Sequence, residues 1–254
     1  MPRHQRIARW LTAPRDYRDA VRRLEALKAK PLSLREFVLA VVVGLGSRGF
    51  YEVRAQQATA EFRPLAERVA ALDPRVIVEI GVGRGGTGLL WAQLASDLVI
   101  LCDYRPLWLE RRLFRHFPRP GGPQLRFLRG DSHDPRFQAR LRRTLAGRPI
   151  DFLFFDGDHT LEGIRQDFHD FRPLVRPGGL IACTDIVPQQ PTARNHVHRF
   201  WEELKSSGGY QLEELVSDWD QIGYGIGVIR IPGLGTGAGG VAFLANCRTV
   251  ETAD

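Results

Sequence analysis

Cysteine is scarce in this sequence and methionine nearly absent: three Cys and one Met among 254 residues. Cys102, Cys183 and Cys247 show no C-x-x-C spacing and form no even set, so a disulfide framework is excluded. Cys102 and Cys183 stand inside apolar runs, which points to buried reduced thiols and a cytoplasmic compartment. Long hydrophobic runs are missing too. The longest, Phe37–Leu45, is about half of the ~18–20 residues needed to span a bilayer. The arginine-rich N-terminus lacks an apolar core followed by a small-residue cleavage site, so no secretory signal is expected. No internal repeat is visible.

An acidic excess is also lacking: 36 Lys and Arg face 29 Asp and Glu, a net charge of +7. That excess is local. Residues 1–30 hold nine Lys/Arg and three Asp/Glu, and so carry six of the seven charges. Nucleic-acid binders spread basic groups over the face that docks. Here the rest of the chain is close to neutral, and no nucleic-acid partner is expected. The basic stretch reads as a solvated helix, with peripheral contact to an anionic membrane through residues 1–30 as the alternative.

What the chain does have is a change of rhythm near residue 56. Before it the pattern is helical. Thr12-Ala13-Pro14 looks like a helix start, and Ser33-Leu34-Arg35-Glu36 is a capping box ahead of an apolar run that ends at Gly44/Gly46. A third helix is predicted over Thr59–Leu72, stopped by Asp73-Pro74. From residue 75, short apolar strands alternate with amphipathic helices. The strands are predicted at Val76–Ile80, Leu98–Asp103, Leu125–Arg129, Ile150–Phe155 and Gly179–Thr184. The helices fall at Thr87–Ala95, Pro106–Phe117, Pro135–Ala146 and Leu161–Val175. Near-continuous apolar strands mark a parallel sheet covered on both faces. A helix over Ala193–Ser206 and two β-like runs, Leu212–Val216 and Tyr224–Ile231, complete the pattern. The expected fold is α/β: a doubly wound, mostly parallel, seven-stranded Rossmann-like sheet with an N-terminal helical extension. The expected organisation is a basic helical extension (1–55), the α/β domain (56–232) and a Gly-rich, loosely ordered tail (233–254).

In open parallel sheets ligands sit at the carboxyl ends of the strands. Every one of those ends carries an acid: Glu79, Asp103, Asp131, Asp156 and Asp185. Acids also cap helices, but five of five on one rim go beyond capping. After the first strand comes Glu79-Ile80-Gly81-Val82-Gly83-Arg84-Gly85-Gly86-Thr87. Its glycines permit tight turning and close approach of a ligand to the backbone, and the amides near Thr87 form an anion-friendly helix start. Gly81, Gly83 and Gly86 also satisfy the dinucleotide spacing G-x-G-x-x-G. A pyrophosphate beside Glu79 would be repelled. The ammonium group of S-adenosylmethionine would not. Asp103, 22 residues after Gly81, is placed for ribose hydroxyls with either cofactor. Asp131, with Ser132 beside it, is placed for an adenine amino group.

The fourth strand ends in Asp151-Phe-Leu-Phe-Phe-Asp156-Gly157-Asp158-His159, followed by Arg176-Pro177-Gly178-Gly179 and a strand closing on Thr184-Asp185. These elements resemble the class I methyltransferases, and more narrowly the group of macrocin-type sugar O-methyltransferases and cephalosporin-hydroxylase-like proteins. The resemblance covers about residues 56–231, with Gln57…Glu61 ahead of the first strand and His198-Arg199-Phe200-Trp201 after the fifth. It implies S-adenosylmethionine held by Glu79, Gly81, Gly83, Gly86, Thr87, Asp103, Asp131 and Ser132. It further implies catalysis by His159 as general base with Asp156, and magnesium bound by Asp156 and Asp185. The family supplies two adjacent acids, or an acid followed by an amide, after the fifth strand. Here Thr184 and Ile186 flank Asp185, so one expected metal ligand is missing.

Residue chemistry alone agrees about His159. A hydroxyl is a poor nucleophile, and a base of near-neutral pKa helps to remove its proton. Asp156 and Asp158 beside it should raise the pKa of His159 and orient its ring. His133 reads as a surface loop residue. His196 and His198, two positions apart, do not share a helical face. The reading is O-methylation of a hydroxyl on a sugar, glycan or small natural product by a homo-oligomeric enzyme. The alternatives are a NAD-dependent oxidoreductase and a non-catalytic module that binds membrane or polyanion through its basic N-terminus.

Overall fold

A computed structural model describes residues 3–45, 51–107 and 111–233 of the chain. Gly46, part of the predicted Pro106–Phe117 helix, and all of the Gly-rich tail beyond Gly233 lie outside the described residues.

Seven strands form one sheet: β1 (Val76–Ile80), β2 (Leu98–Asp103), β3 (Gln124–Arg129), β4 (Ile150–Phe155), β5 (Val175–Thr184), β6 (Gln211–Leu215) and β7 (Ile226–Arg230). Their order is β3-β2-β1-β4-β5-β7-β6. The first five run parallel, and β7 is antiparallel to both β5 and β6. Central strands β1, β2 and β4 are buried at every position, whereas edge strands β3 and β6 keep exposed polar residues. This is the unbroken apolar signature of strands covered on both faces.

The helices divide between the faces. On one side lie α2 (Leu34–Val43), α3 (Thr59–Ala71) and α4 (Gly86–Leu94), with α1 (Arg3–Lys28) and the described turn α5 (Arg111–Phe114) packed outside them. On the other lie α6 (Pro135–Leu145), α7 (Leu161–Phe171) and α8 (Val197–Ser207). Successive side chains of a strand serve opposite cores: Ile77 joins the α2/α3/α4 side, while Val76 and Val78 join the α6/α7/α8 side. Trp91, fully buried on α4, sits edge-on to Phe62, Phe152 and Phe154 at 5.1–5.6 Å between ring centres. Truncation of such a residue to Ala costs about 3–5 kcal/mol.

Several elements differ from the sequence expectation: among the described residues the Pro106–Phe117 helix is the single turn Arg111–Phe114, and the Leu161–Val175 helix ends at Phe171, ahead of a 3-10 turn over Arg172–Leu174. Helix α1 does not start at Thr12-Ala13-Pro14 but runs through Pro14, which forfeits one backbone bond. Its C-terminal half is docked: Leu24 and Leu27 are buried, and the Lys28 ammonium donates to the carbonyls of His116 (2.7 Å) and Pro118 (3.1 Å). Strand β5 begins at Val175, because a shift in its pairing with β4 absorbs Arg176-Pro177-Gly178 as an irregularity. Helix α8 begins only at Val197, since the preceding turn has another use, described below. The predicted capping box stands, with Ser33 and Glu36 bonded reciprocally. Among the described residues no helix is long and apolar enough to cross a membrane.

The chain winds outward from β1 through β2 and β3, then returns to place β4 on the other side of β1. The crevice at the carboxyl ends of β1 and β4 is the switch point of such a sheet, where ligands bind.

Candidate active site

All five parallel strand ends open into one cavity of about 980 Å³. Its walls include Gly81 and Gly83 after β1, Asp103 and Arg105 after β2, and Asp131, Ser132 and His133 after β3. Asp156, Asp158 and His159 follow β4, and Asp185 follows β5. Gln56 and Gln57 enter from the N-terminal side, and Pro191 with Ile222–Tyr224 from the C-terminal side.

The glycine loop does not work uniformly. A Cβ on Gly81 would lie 1.9 Å from the carbonyl oxygen of Asp156, and one on Gly86 would lie 1.9 Å from the amide nitrogen of Ala55. Those two glycines are required by the protein's own backbone. Gly83, at φ +55°, faces the cavity, and a Cβ there would meet only Gln56 Oε1 at 3.4 Å. Close approach of a ligand therefore belongs to Gly83. Gly86 donates its amide to the carbonyl of Arg54 (3.3 Å). Residues 54 and 55 thus cover the start of α4, the place a pyrophosphate would need. Neither Gly86 nor Thr87 lines the cavity.

Glu79 is fully buried beneath the loop and accepts a hydrogen bond from the Thr87 hydroxyl, while its Oε2 has no partner. Burial pushes its pKa well above the usual carboxylate range. Glu79 does not line the cavity, so its side chain faces the loop and Thr87 from beneath. Asp103 does line the cavity. Its carboxylate accepts from the Val82 amide (3.2 Å) and pairs with Arg105 at 2.9 Å. Asp131 is exposed at the rim and takes the His133 amide at 3.0 Å.

His133 is not a loose loop residue. Its ring lies 3.2 Å from Asp167, which is 1% exposed on α7. The Asp167 carboxylate holds the imidazole pKa up at about 9.

The far end of the cavity is built around His159. Its Nδ1 lies 2.9 Å from Asp185 Oδ2, and its Nε2 lies 3.3 Å from Asp156 Oδ1 without an aligned hydrogen bond. Burial alone would lower its pKa, but the Asp156 and Asp185 carboxylates outweigh that and raise it to about 10. Neutral donors surround the two acids. Gln57 (3.0 Å) and the Thr184 hydroxyl (3.0 Å) donate to Asp156, and Asn195 (2.7 Å) and the Tyr224 amide (3.1 Å) donate to Asp185. Asn195 occupies the turn before α8, whose His196 amide bonds the His159 carbonyl at 2.8 Å. That is why the helix starts late.

A magnesium ion needs several oxygen ligands in near-octahedral array. Among the described residues no group of three or more His, Cys, Asp or Glu side chains is arranged to hold a metal. Asp158 accepts the amide of Thr160, the residue before α7, at 2.9 Å. Thr184 and Gln57 meet Asp156 as donors, and an imidazole stands between the carboxylates. Asp156 and Asp185 do converge as the sequence suggested, but the surrounding groups do not fit a magnesium ion. The sequence marks Gln57 through the resemblance and Thr184 by its place beside Asp185, neither with a role, and does not mark Asn195, because no local motif shows which donors tertiary folding brings to the two acids.

Sheet order, glycine loop and acid-lined crevice define a class I methyltransferase fold. Residues 78–186 match a family model described as a methyltransferase domain. The chain is similar to demethylmacrocin O-methyltransferase of Streptomyces fradiae, 39% identical over 57 residues, which is 22% of this chain and 14% of that protein. The match thus spans a small part of that relative's length. Among solved structures, an O-methyltransferase from Bacillus cereus in complex with SAH aligns over 80% of this chain and 92% of its own, with TM-score 0.52 and 17% identity. Cofactor-bound Rv0187 from MTB aligns over 71% of this chain and 83% of its own, with TM-score 0.50 and 18% identity.

Proposed function

We propose that this chain transfers a methyl group from S-adenosylmethionine to a hydroxyl of a sugar or small natural product. One observation carries the reading: the loop glycine Gly83, the ribose-placed Asp103, the rim residues Asp131 and Ser132, and the His159 cluster all face one continuous cavity. Cofactor and acceptor would share a single chamber, as direct displacement requires. When bound, S-adenosylmethionine supplies an electrophilic methyl on a cationic sulfur. Asp103 and Asp131 would hold its ribose and adenine, with Arg105 shifting to share Asp103. Asp156, Asp185 and the rim acids favour a cationic ligand near His159. As the methyl–sulfur bond breaks and the oxygen–methyl bond forms, the acceptor's proton passes to His159 Nε2, the ring nitrogen with no aligned partner. Asp185, itself held by the Asn195 amide, accepts the hydrogen bond from Nδ1 and so sets the ring's direction. No divalent cation takes part between Asp156 and Asp185.

The dinucleotide alternative is disfavoured by the covered start of α4. Calorimetric titration tests the choice: S-adenosylhomocysteine should bind at micromolar or better affinity and NAD should not, and the reverse result would overturn the reading. In the same instrument, magnesium or manganese should show no stoichiometric binding, and turnover should survive EDTA.

A further inference from the structure

The cavity wall beside Asp185 is formed by the connection between β6 and β7, residues 216–225, which presents Ile222, Gly223 and Tyr224. This segment is fastened from a distance. Glu61, in the first turn of α3, is 1% exposed. Its Oε1 accepts from the Ser217 amide (3.1 Å) and the Gln221 side chain (2.7 Å), and its Oε2 from the Gly225 amide (2.8 Å). A buried carboxyl group is tolerated when its acceptors are satisfied, and here all three donors come from one loop. That loop is in turn tied to the reacting end: the Tyr224 amide donates to Asp185 Oδ1 (3.1 Å) and the Gly223 amide to the Gln189 carbonyl (2.6 Å). Asp185 and Tyr224 both adopt left-handed backbone, φ +66° and +68°, a conformation that persists for such residues when the surroundings hold it.

The surface this loop offers is apolar. Ile222 is 71% exposed and Tyr224 43%, both at the cavity mouth, with Tyr104 73% exposed on the β2 side. Asp131, Asp158 and Asp185 share that cavity with Arg105, His133 and His159.

We propose that Glu61 is a positioning residue, which fixes loop 216–225 as the acceptor wall, and that this wall selects an acceptor with an apolar face beside its hydroxyl. The inference rests on the methyl-transfer reading and can fail separately from it. In Glu61→Gln one oxygen becomes an amide that cannot accept from the loop. Amide hydrogen exchange over 217–225 should then quicken at least tenfold, while S-adenosylhomocysteine affinity stays within threefold of wild type. Unchanged exchange in the loop would overturn the role of Glu61. Failure of wild type to bind S-adenosylhomocysteine would instead count against the methyltransferase reading.

The wall itself is tested by Ile222→Asp, an exposed position where folding is not at risk. Binding of 4-nitrophenyl glycosides and of the matching methyl glycosides to the S-adenosylhomocysteine complex would be compared by ligand-observed NMR. Wild type should prefer the aryl compounds at least tenfold, and Ile222→Asp should erase the preference. No aryl preference in wild type, including no binding of either series, would overturn the proposed acceptor class.

Discussion

The protonation of His159 should govern how the reaction depends on pH. With its pKa held at about 10, about one ring in a thousand is free to accept a proton at pH 7, a handicap of ~4 kcal/mol at 1.36 kcal/mol per unit. The deprotonated ring is the active form, so a raised pKa moves the active limb to alkaline pH. In the S-adenosylhomocysteine complex, which carries no sulfonium charge, the His159 ring proton followed by NMR should titrate near pH 10. During turnover the adjacent sulfonium opposes the imidazolium, so the kinetic limb should lie at or below that value and well above the ordinary 6.5. Below the limb, the rate of S-adenosylhomocysteine release should climb about tenfold per pH unit. Asp185→Asn removes the carboxylate 2.9 Å from Nδ1. A hydrogen bond to a charged partner is worth ~1.5–3 kcal/mol, or about one to two pKa units. Both the NMR midpoint and the rate limb should therefore fall by that amount in the variant. A wild-type NMR midpoint near 6.5, or one that Asp185→Asn leaves unmoved, would refute the reasoning.

The glycines of the loop should separate into two kinds. Gly81→Ala and Gly86→Ala force a Cβ to within 1.9 Å of backbone atoms and should fail to yield folded protein. Gly83→Ala has room and bears only the left-handed penalty of ~1–2 kcal/mol. It should fold, with a lowered thermal midpoint and S-adenosylhomocysteine affinity weakened at least tenfold by calorimetry. Glu79 is buried and accepts the Thr87 hydroxyl with its pKa raised by burial, so Glu79→Gln should keep S-adenosylhomocysteine affinity within about threefold, consistent with a neutral side chain. Asp103→Asn should weaken it by tenfold or more in the same titration. Equal losses in the two variants would return Glu79 to the cofactor's contacts.

Much of the fold was legible because its signals are local. The apolar runs Val76–Ile80, Leu98–Asp103 and Ile150–Phe155 appear as strands at those same limits, since a strand buried on both faces needs an unbroken apolar stretch. Acids at the strand ends likewise fall on one rim, a consequence of parallel direction alone. Pro14 misled because Thr-Ala-Pro resembles a helix start with proline in the first turn, whereas the helix runs through it.

The site divides along the same line. Its Gly83, Asp103, Asp131, Asp156 and His159 could be named from spacing, because each follows a strand end by a fixed small number of residues. What each does there required the tertiary structure. Burial takes Glu79 out of the cavity wall and raises its pKa, and the backbone at Ala55 decides that Gly86 serves packing. Gln57, Thr184 and Asn195 reach the two acids as donors from three separate segments. Glu61 meets its partners across 156–164 residues of chain. Sequence by itself determined which chemistry could assemble at the rim, because strand direction and turn spacing are written locally. Which acids are buried, which donors meet Asp156 and Asp185, and which loop borders Asp185 depend on contacts between distant segments, and only the folded chain decided those.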